Sequence, residues 1–210
     1  MTNSKNILMT GGTGFIGRYL SQQLIKQGYH VTVLTRSGAD ISNSTEHLAF
    51  VNALADLQPR PWYGVINLAG EPLNKTRWSP AQKAQIISSR VAVTQALNAW
   101  LRGLSTPPEV FISGSAVGWY GHWDDECLDE DSPSRAGFSN ALCAAWETAA
   151  MAQADLTGRL CIVRLGIVLG NDGGSLPAML LPAKLGLGGP MGDGRQWWSW
   201  IHLEDVVRSI

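Results

Sequence analysis

Residues 10–17 read Thr10-Gly11-Gly12-Thr13-Gly14-Phe15-Ile16-Gly17, a spacing suited to holding the pyrophosphate of a dinucleotide. It contains G-x-G-x-x-G at Gly12, Gly14 and Gly17, and G-x-x-G-x-x-G at Gly11, Gly14 and Gly17. A turn of this kind needs backbone conformations that glycine adopts at little cost. The missing side chains let phosphate oxygens reach backbone amides, and the dipole of the following helix favours an anion there. Gly17 lets that helix pack close to its strand. The residues expected to meet the cofactor are therefore Gly11, Thr13, Gly14, Phe15, Ile16 and Gly17. A glycine turn that merely fits is the plainer alternative. The apolar strand before it and the helix after it favour binding.

A second chemical signal follows the next β-branched run, Val31-Thr32-Val33-Leu34, which ends in Thr35-Arg36-Ser37. Sites for NAD usually carry an Asp or Glu at this strand end, on the ribose hydroxyls. Neither is present. Arg36 instead offers a guanidinium to a 2′-phosphate, and Thr35 lies beside it, so the expected cofactor is NADP(H). The other reading of Arg36 is a solvated surface arginine.

These groups need a scaffold, and the chain supplies one by alternating short apolar runs with helical patterns. Ile7-Leu8-Met9 reads as a strand, and Phe15 to Gln27 as a helix ended by Gly28. Val65 to Leu68 and Val110 to Ile112 read as further strands. Ser79-Pro80 opens a long helix running toward Leu101, with serine as cap and proline in the first turn. Phe138 to Ala154 is expected to be helical and Leu160 to Val163 extended, and Leu203 starts a last helix. This order predicts an α/β fold with a parallel sheet and right-handed crossovers.

The formal net charge is -1, which gives no electrostatic case for nucleic acid or an anionic membrane as partner. The three cysteines have neither zinc-site spacing nor the even number of a disulfide framework. No metal is expected, and a reducing cytoplasm is the expected setting. No apolar run approaches the ~20 residues of a membrane span.

The sequence resembles the extended short-chain dehydrogenase/reductases of the NAD-dependent epimerase/dehydratase superfamily, and within them the NADP-binding "epimerase family" branch. The likeness is carried along the whole chain by GGTGFIG (11–17), LTR (34–36), NLAGE (67–71), RW (77–78), SR (89–90) and SAVGWYG (115–121). It continues in WE (146–147), RLGIVLG (164–170), LPAKLGLGGPMGDGRQ (182–196) and WIHLED (200–205). The resemblance implies a Rossmann-like doubly wound sheet over residues 1–170. Residues 171–210 would be the start of a small C-terminal substrate lobe that continues past Ile210. It places Leu68-Ala69-Gly70 along the cofactor and Val168 beside the nicotinamide. It places Arg90 facing the cofactor, with a surface helix arginine as the plainer reading.

The resemblance also implies a mechanism, and here the chain departs from it. Ordinary members use a serine and a Tyr-x-x-x-Lys pair as acid/base machinery. Ser115 occupies the serine place. The tyrosine and lysine places fall on or near Ser139 and Cys143, in a segment with neither residue type. Tyr120 is a candidate substitute acid, although a tyrosine in this turn is structural among ordinary relatives. The acidic stretch from Asp124 to Asp131 reads as a solvated loop. His122 and His202 have no partner at useful spacing.

Nine tryptophans are many for this length, and Trp197, Trp198 and Trp200 cluster near the end. Alternation would put Trp198 and Trp200 on one face of a strand. With Arg195 they would suit a planar or anionic small-molecule substrate, while core packing or a partner interface accounts for the rings equally well. Self-association stays open, as does a cofactor-binding protein without catalysis.

Overall fold

The computed structural model describes residues 5–36, 42–73, 77–152, 154–190 and 192–210. Ser37, next to Arg36, and Met191, in the glycine-rich segment, lie outside these. Alternating chemistry builds the sheet. In β1 (Asn6–Thr10), Ile7 and Met9 face one side and Leu8 the other. In β4 (Gly64–Asn67) and β5 (Val110–Ala116), Ile66 and Ile112 join the first side, and Val65 and Phe111 the second. Both faces are thus apolar, as a parallel sheet covered on both sides requires.

The remaining strands of this sheet are β2 (His30–Leu34), β3 (Leu48–Val51) and β6 (Arg159–Leu165). The order is β3-β2-β1-β4-β5-β6, with parallel pairing throughout. The chain therefore steps outward from β1 to β3, returns to β4 beside β1, and steps outward the other way. The crevice at that reversal, at the carboxyl ends of β1 and β4, is where doubly wound sheets bind ligands.

Helix α1 (Phe15–Lys26) covers the first face with Leu20 and Leu24. Helix α2 (Pro80–Arg102) covers the second with Leu97 and Leu101. Ser79 caps α2 by accepting from the Gln82 N–H at 3.2 Å, with Pro80 in the first turn. Helix α3 (Phe138–Met151) packs beside α2, with Leu142, Trp146 and Ala150 buried.

A second sheet, in the order β8-β7-β9, comprises β7 (Ile167–Gly170), β8 (Gly173–Gly174) and β9 (Trp200–His202). Between β8 and β9 lies α4 (Leu176–Lys184), and α5 (Leu203–Ser209) follows. The division expected at residue 170 falls inside the β7–β8 hairpin, where Gly170 pairs with Gly173. Leu203 and Val206 of α5 are buried and the helix packs on α1. By contrast Leu181, Leu185, Leu187, Trp197 and Trp200 are exposed.

One ring joins α1 to the second sheet. A Cβ added to Gly170, Gly173 or Gly174 would come within 2.6–2.8 Å of Phe15, so the first side chain of α1 fills a socket walled by three glycines. Tyr19, one turn on, donates its hydroxyl to Asp172 Oδ2 at 2.5 Å. Among the described residues, no helix is long and apolar enough to cross a membrane.

Candidate functional site

The glycine turn sits at the reversal crevice. Gly11 has φ 72° and its missing Cβ would lie 2.4 Å from the Leu68 carbonyl oxygen. Only glycine meets both demands. A Cβ on Gly17 would lie 2.3 Å from the Gly11 oxygen, and one on Gly12 would strike the Val33 side chain at 2.6 Å. These three glycines are fixed by packing. Gly14 differs: its φ is -76°, and a Cβ there would meet only the Gly11 oxygen, at 3.1 Å. The positive φ of the turn therefore belongs to Gly11, while Gly14 keeps open space over the helix end.

That end is prepared for an anion. No side chain caps α1, and its first turn has no acidic residue. The first intrahelical bond runs from Arg18 N–H to the Gly14 carbonyl at 3.1 Å. The N–H groups of Phe15, Ile16 and Gly17 precede it without intrahelical acceptors. Thr13 and Gly14 are exposed beside them. A pyrophosphate fits this cradle by charge and by space.

Buried polar groups hold the crevice walls. Thr10 Oγ1 donates to Asn67 Oδ1 (2.6 Å), Asn67 Nδ2 donates to Thr94 Oγ1 (2.8 Å), and Thr94 donates to the Arg90 carbonyl (2.8 Å). The Ala69 N–H donates back to Thr10 Oγ1 at 3.3 Å. This relay ties β1, β4 and α2 together and fixes the segment Leu68-Ala69-Gly70.

Arg90 is half-buried beneath the 69–71 segment rather than lying free on the helix surface. It folds back under the loop, donating to the carbonyls of Ile86 (2.9 Å) and Glu71 (3.2 Å), with its guanidinium 5.3 Å from the Trp146 ring centre. Burial lowers its pKa from the ordinary arginine value. A Cβ on Gly70 would lie 2.7 Å from the Arg90 guanidinium carbon, so this glycine makes room for the arginine. Arg36, after β2, is exposed and faces Glu71, which sequence reasoning did not single out.

Ser115 and Tyr120 are drawn into one network. Ser115, buried in β5, donates to Glu147 Oε1 at 2.5 Å. Glu147, on α3, is gripped by two bonds from Arg164 of β6: Nε to Oε1 at 3.0 Å and Nη2 to Oε2 at 2.9 Å. Arg164 also donates to Tyr120 Oη at 3.1 Å and lies 3.7 Å from the Trp119 ring centre. The bonds to Glu147 raise the Arg164 pKa above its usual range. WE and RLGIVLG each carried one partner of this pair, but their sequence spacing did not disclose the contact.

At the expected lysine place Cys143 is buried, and burial pushes its thiol up, against partial relief from the Ala116 backbone and Ser115. Ser139 and Cys143 press on the turn 117–120, where a Cβ on Gly118 would meet Ser139 Cβ at 3.0 Å and Cys143 Sγ at 3.7 Å. The site thus holds a neutral thiol and a serine whose proton is committed to a carboxylate.

The acidic stretch is partly engaged with aromatic rings rather than merely solvated. Asp125 accepts from Trp197 Nε1 at 2.7 Å, and Arg135, paired with Glu126 at 3.5 Å, lies 3.6 Å from the Trp123 ring centre. Trp198 precedes β9 instead of lying in it, so it does not share a strand face with Trp200. Both are exposed, as is Arg195, whose N–H donates to Asp193. His202 accepts from the Glu204 N–H at 3.3 Å and caps α5. Val168 pairs with Ile201 across β7 and β9. All three cysteines are free, and among the described residues no cluster of three or more His, Cys, Asp or Glu could hold a metal.

A family model, described as the NAD dependent epimerase/dehydratase family, matches residues 7–210. The chain belongs to this family. It is an extended short-chain dehydrogenase/reductase. An epimerase family protein of Staphylococcus saprophyticus is 40% identical over 98% of the chain and 70% of its own length. The chloroplastic SDR39U1 homolog of Arabidopsis thaliana is 37% identical over 97% of the chain and 60% of its own. Among solved structures, human epimerase family protein SDR39U1 (isoform 2) with NADPH superposes with TM-score 0.84 and 35% identity, covering 96% of this chain and 67% of that one. The UDP-glucuronic acid 4-epimerase of Bacillus cereus, at 22% identity and TM-score 0.76 over 97% of this chain and 71% of that one, shares the fold.

Proposed function

We propose that the protein binds NADP(H) and acts as an oxidoreductase or epimerase-like enzyme on a small molecule. The observation that carries this reading is the uncapped, acid-free start of α1 under an open Gly14, with Arg36 at the neighbouring strand end. The human relative solved with NADPH supports the choice of cofactor. The amides of residues 13–17 would hold the pyrophosphate, Arg36 the 2′-phosphate, and Leu68 to Gly70 and Val168 would line the remainder. When bound, the nicotinamide supplies reversible hydride transfer.

Tyr120 is the proton donor this geometry offers. Its oxygen accepts from Arg164, which leaves its own O–H for a substrate oxygen. Ser115, bonded to Glu147, and the neutral Cys143 do not restore the Tyr-x-x-x-Lys machinery. That commitment favours a second reading, an NADP(H)-responsive sensor without turnover.

Replacing Arg36 with Ala should lower NADPH affinity by about 1.5–3 kcal/mol while leaving NADH binding nearly unchanged. Calorimetry with both nucleotides measures this. Equal affinities of the wild-type protein for the two would remove the NADP assignment. No appreciable epimerisation of common UDP-sugars is expected, because no tyrosine–lysine pair is present to move the proton. A coupled assay with UDP-glucose and UDP-galactose checks it, and rapid turnover would refute this account of Ser139 and Cys143.

A further inference from the structure

The Arg36 guanidinium already has a carboxylate in front of it. Arg36 Nη2 lies 3.7 Å from Glu71 Oε2, and the two side chains differ sharply in setting, at 86% and 11% exposed. Glu71 is held in place: its N–H donates to Ser89 Oγ at 3.1 Å and its carbonyl accepts from Arg90 at 3.2 Å. Arg36 follows β2 and Glu71 follows β4, the two strands flanking β1. With neighbouring strands ~4.8 Å apart, the pair reaches across about 10 Å of sheet edge. It thus passes over the end of β1, where the glycine turn begins. The carboxylate facing Arg36 thus comes from the segment after β4.

We propose that Glu71 sets how strongly the site prefers a 2′-phosphorylated dinucleotide, by competing with that phosphate for Arg36. This rests on the NADP(H) reading above. A 2′-phosphate can take the guanidinium only by displacing Glu71 or by bringing a second anion against it, and both oppose binding. A 2′-hydroxyl meets no such conflict. It needs no cation, and its O–H can donate to a carboxylate, so NADH binds with the Arg36–Glu71 pair intact. Glu71 therefore weakens NADPH selectively. The effect is modest because Arg36 is solvated, and exposed ion pairs change equilibria by up to about fivefold.

Calorimetric dissociation constants for NADPH and NADH on the wild-type protein, E71Q, R36A and the double variant test this. E71Q should bind NADPH about two- to fivefold more tightly, with NADH changed less than about twofold. In the R36A background, E71Q should no longer alter NADPH affinity, because the contested cation is gone. Weaker NADPH binding by E71Q would show instead that the carboxylate holds Arg36 ready for the phosphate, and would overturn the proposal. Equal tightening for both nucleotides, or an effect that survives without Arg36, would overturn it too. Thermal unfolding checks that the variant folds. Glu71→Ala should shift NADPH affinity in the same direction and serves if the amide is not tolerated. A wild-type protein with no preference for NADPH overturns both readings, whereas a preference that E71Q leaves unchanged overturns this one alone.

Discussion

Replacing Arg164 with Leu should cost about 3–5 kcal/mol of folding stability, the usual consequence of stranding a buried carboxylate. The side chain of Glu147 is 5% exposed, and its two oxygens take both guanidinium bonds. Without Arg164 the carboxylate keeps, among the described residues, the Ser115 hydroxyl as its hydrogen-bond partner between β5, β6 and α3. Tyr120 and Trp119 lose their cation at the same moment. Arg164→Lys keeps the charge but not the fork that meets both oxygens, so its loss should be smaller. Urea unfolding of the three proteins decides the point. A loss below about 1 kcal/mol for the leucine variant would mean that Glu147 finds water or relaxes, and that the network is not a structural anchor.

The second large effect is on binding. Gly14→Val should weaken NADPH and NADH alike by at least about a hundredfold, roughly 2.8 kcal/mol, while the protein stays folded. The structure separates this position from its neighbours. A side chain at Gly11 or Gly17 collides with backbone at 2.4 or 2.3 Å, so substitution there disturbs the fold itself. At Gly14 the backbone is unstrained and the Cβ meets only one carbonyl oxygen. A valine would occupy the space above the first-turn amides. Exchanging the cap residue adds about 1 kcal/mol of helix cost. Calorimetry together with thermal unfolding measures both quantities. Normal nucleotide affinity in the variant would place the cofactor elsewhere on the molecule.

What the sequence disclosed follows from how local each feature is. The glycine turn, the strands around Leu8, Val33, Ile66 and Phe111, and the capped start of α2 all lie where short-range patterns put them. Strand β3 escaped notice because Leu48–Val51 is a half-buried run at the sheet edge and offers no clear alternation. The second sheet was hidden for another reason. Strand β8 is two glycines, and β9 exists because Trp200 to His202 pair with Ile167 to Leu169, a contact across more than thirty positions.

The site divides in the same way. Backbone turns are written in consecutive residues, so the glycine turn was legible. Charge partnerships are written in topology. Glu71 meets Arg36 only because β1 lies between their strands, and Glu147 meets Arg164 only because α3 covers β5 and β6. The packing of Arg90 was not legible, because it depends on a side chain that Gly70 does not have.

The ring of Phe15 bears on how this molecule could be taken apart or recombined. Its socket is made of Gly170, Gly173 and Gly174, residues more than 150 positions away in the chain. The first helical residue after the glycine turn is thus also a peg for the second sheet. A chimera that grafts another lobe onto this Rossmann half inherits a peg with no hole. One that borrows this lobe for a foreign turn brings a hole with no peg, and the bare glycines that formed its walls become loose hinges. Swaps among relatives must carry the aromatic residue and the three glycines as one unit of exchange, because neither half is interchangeable by itself.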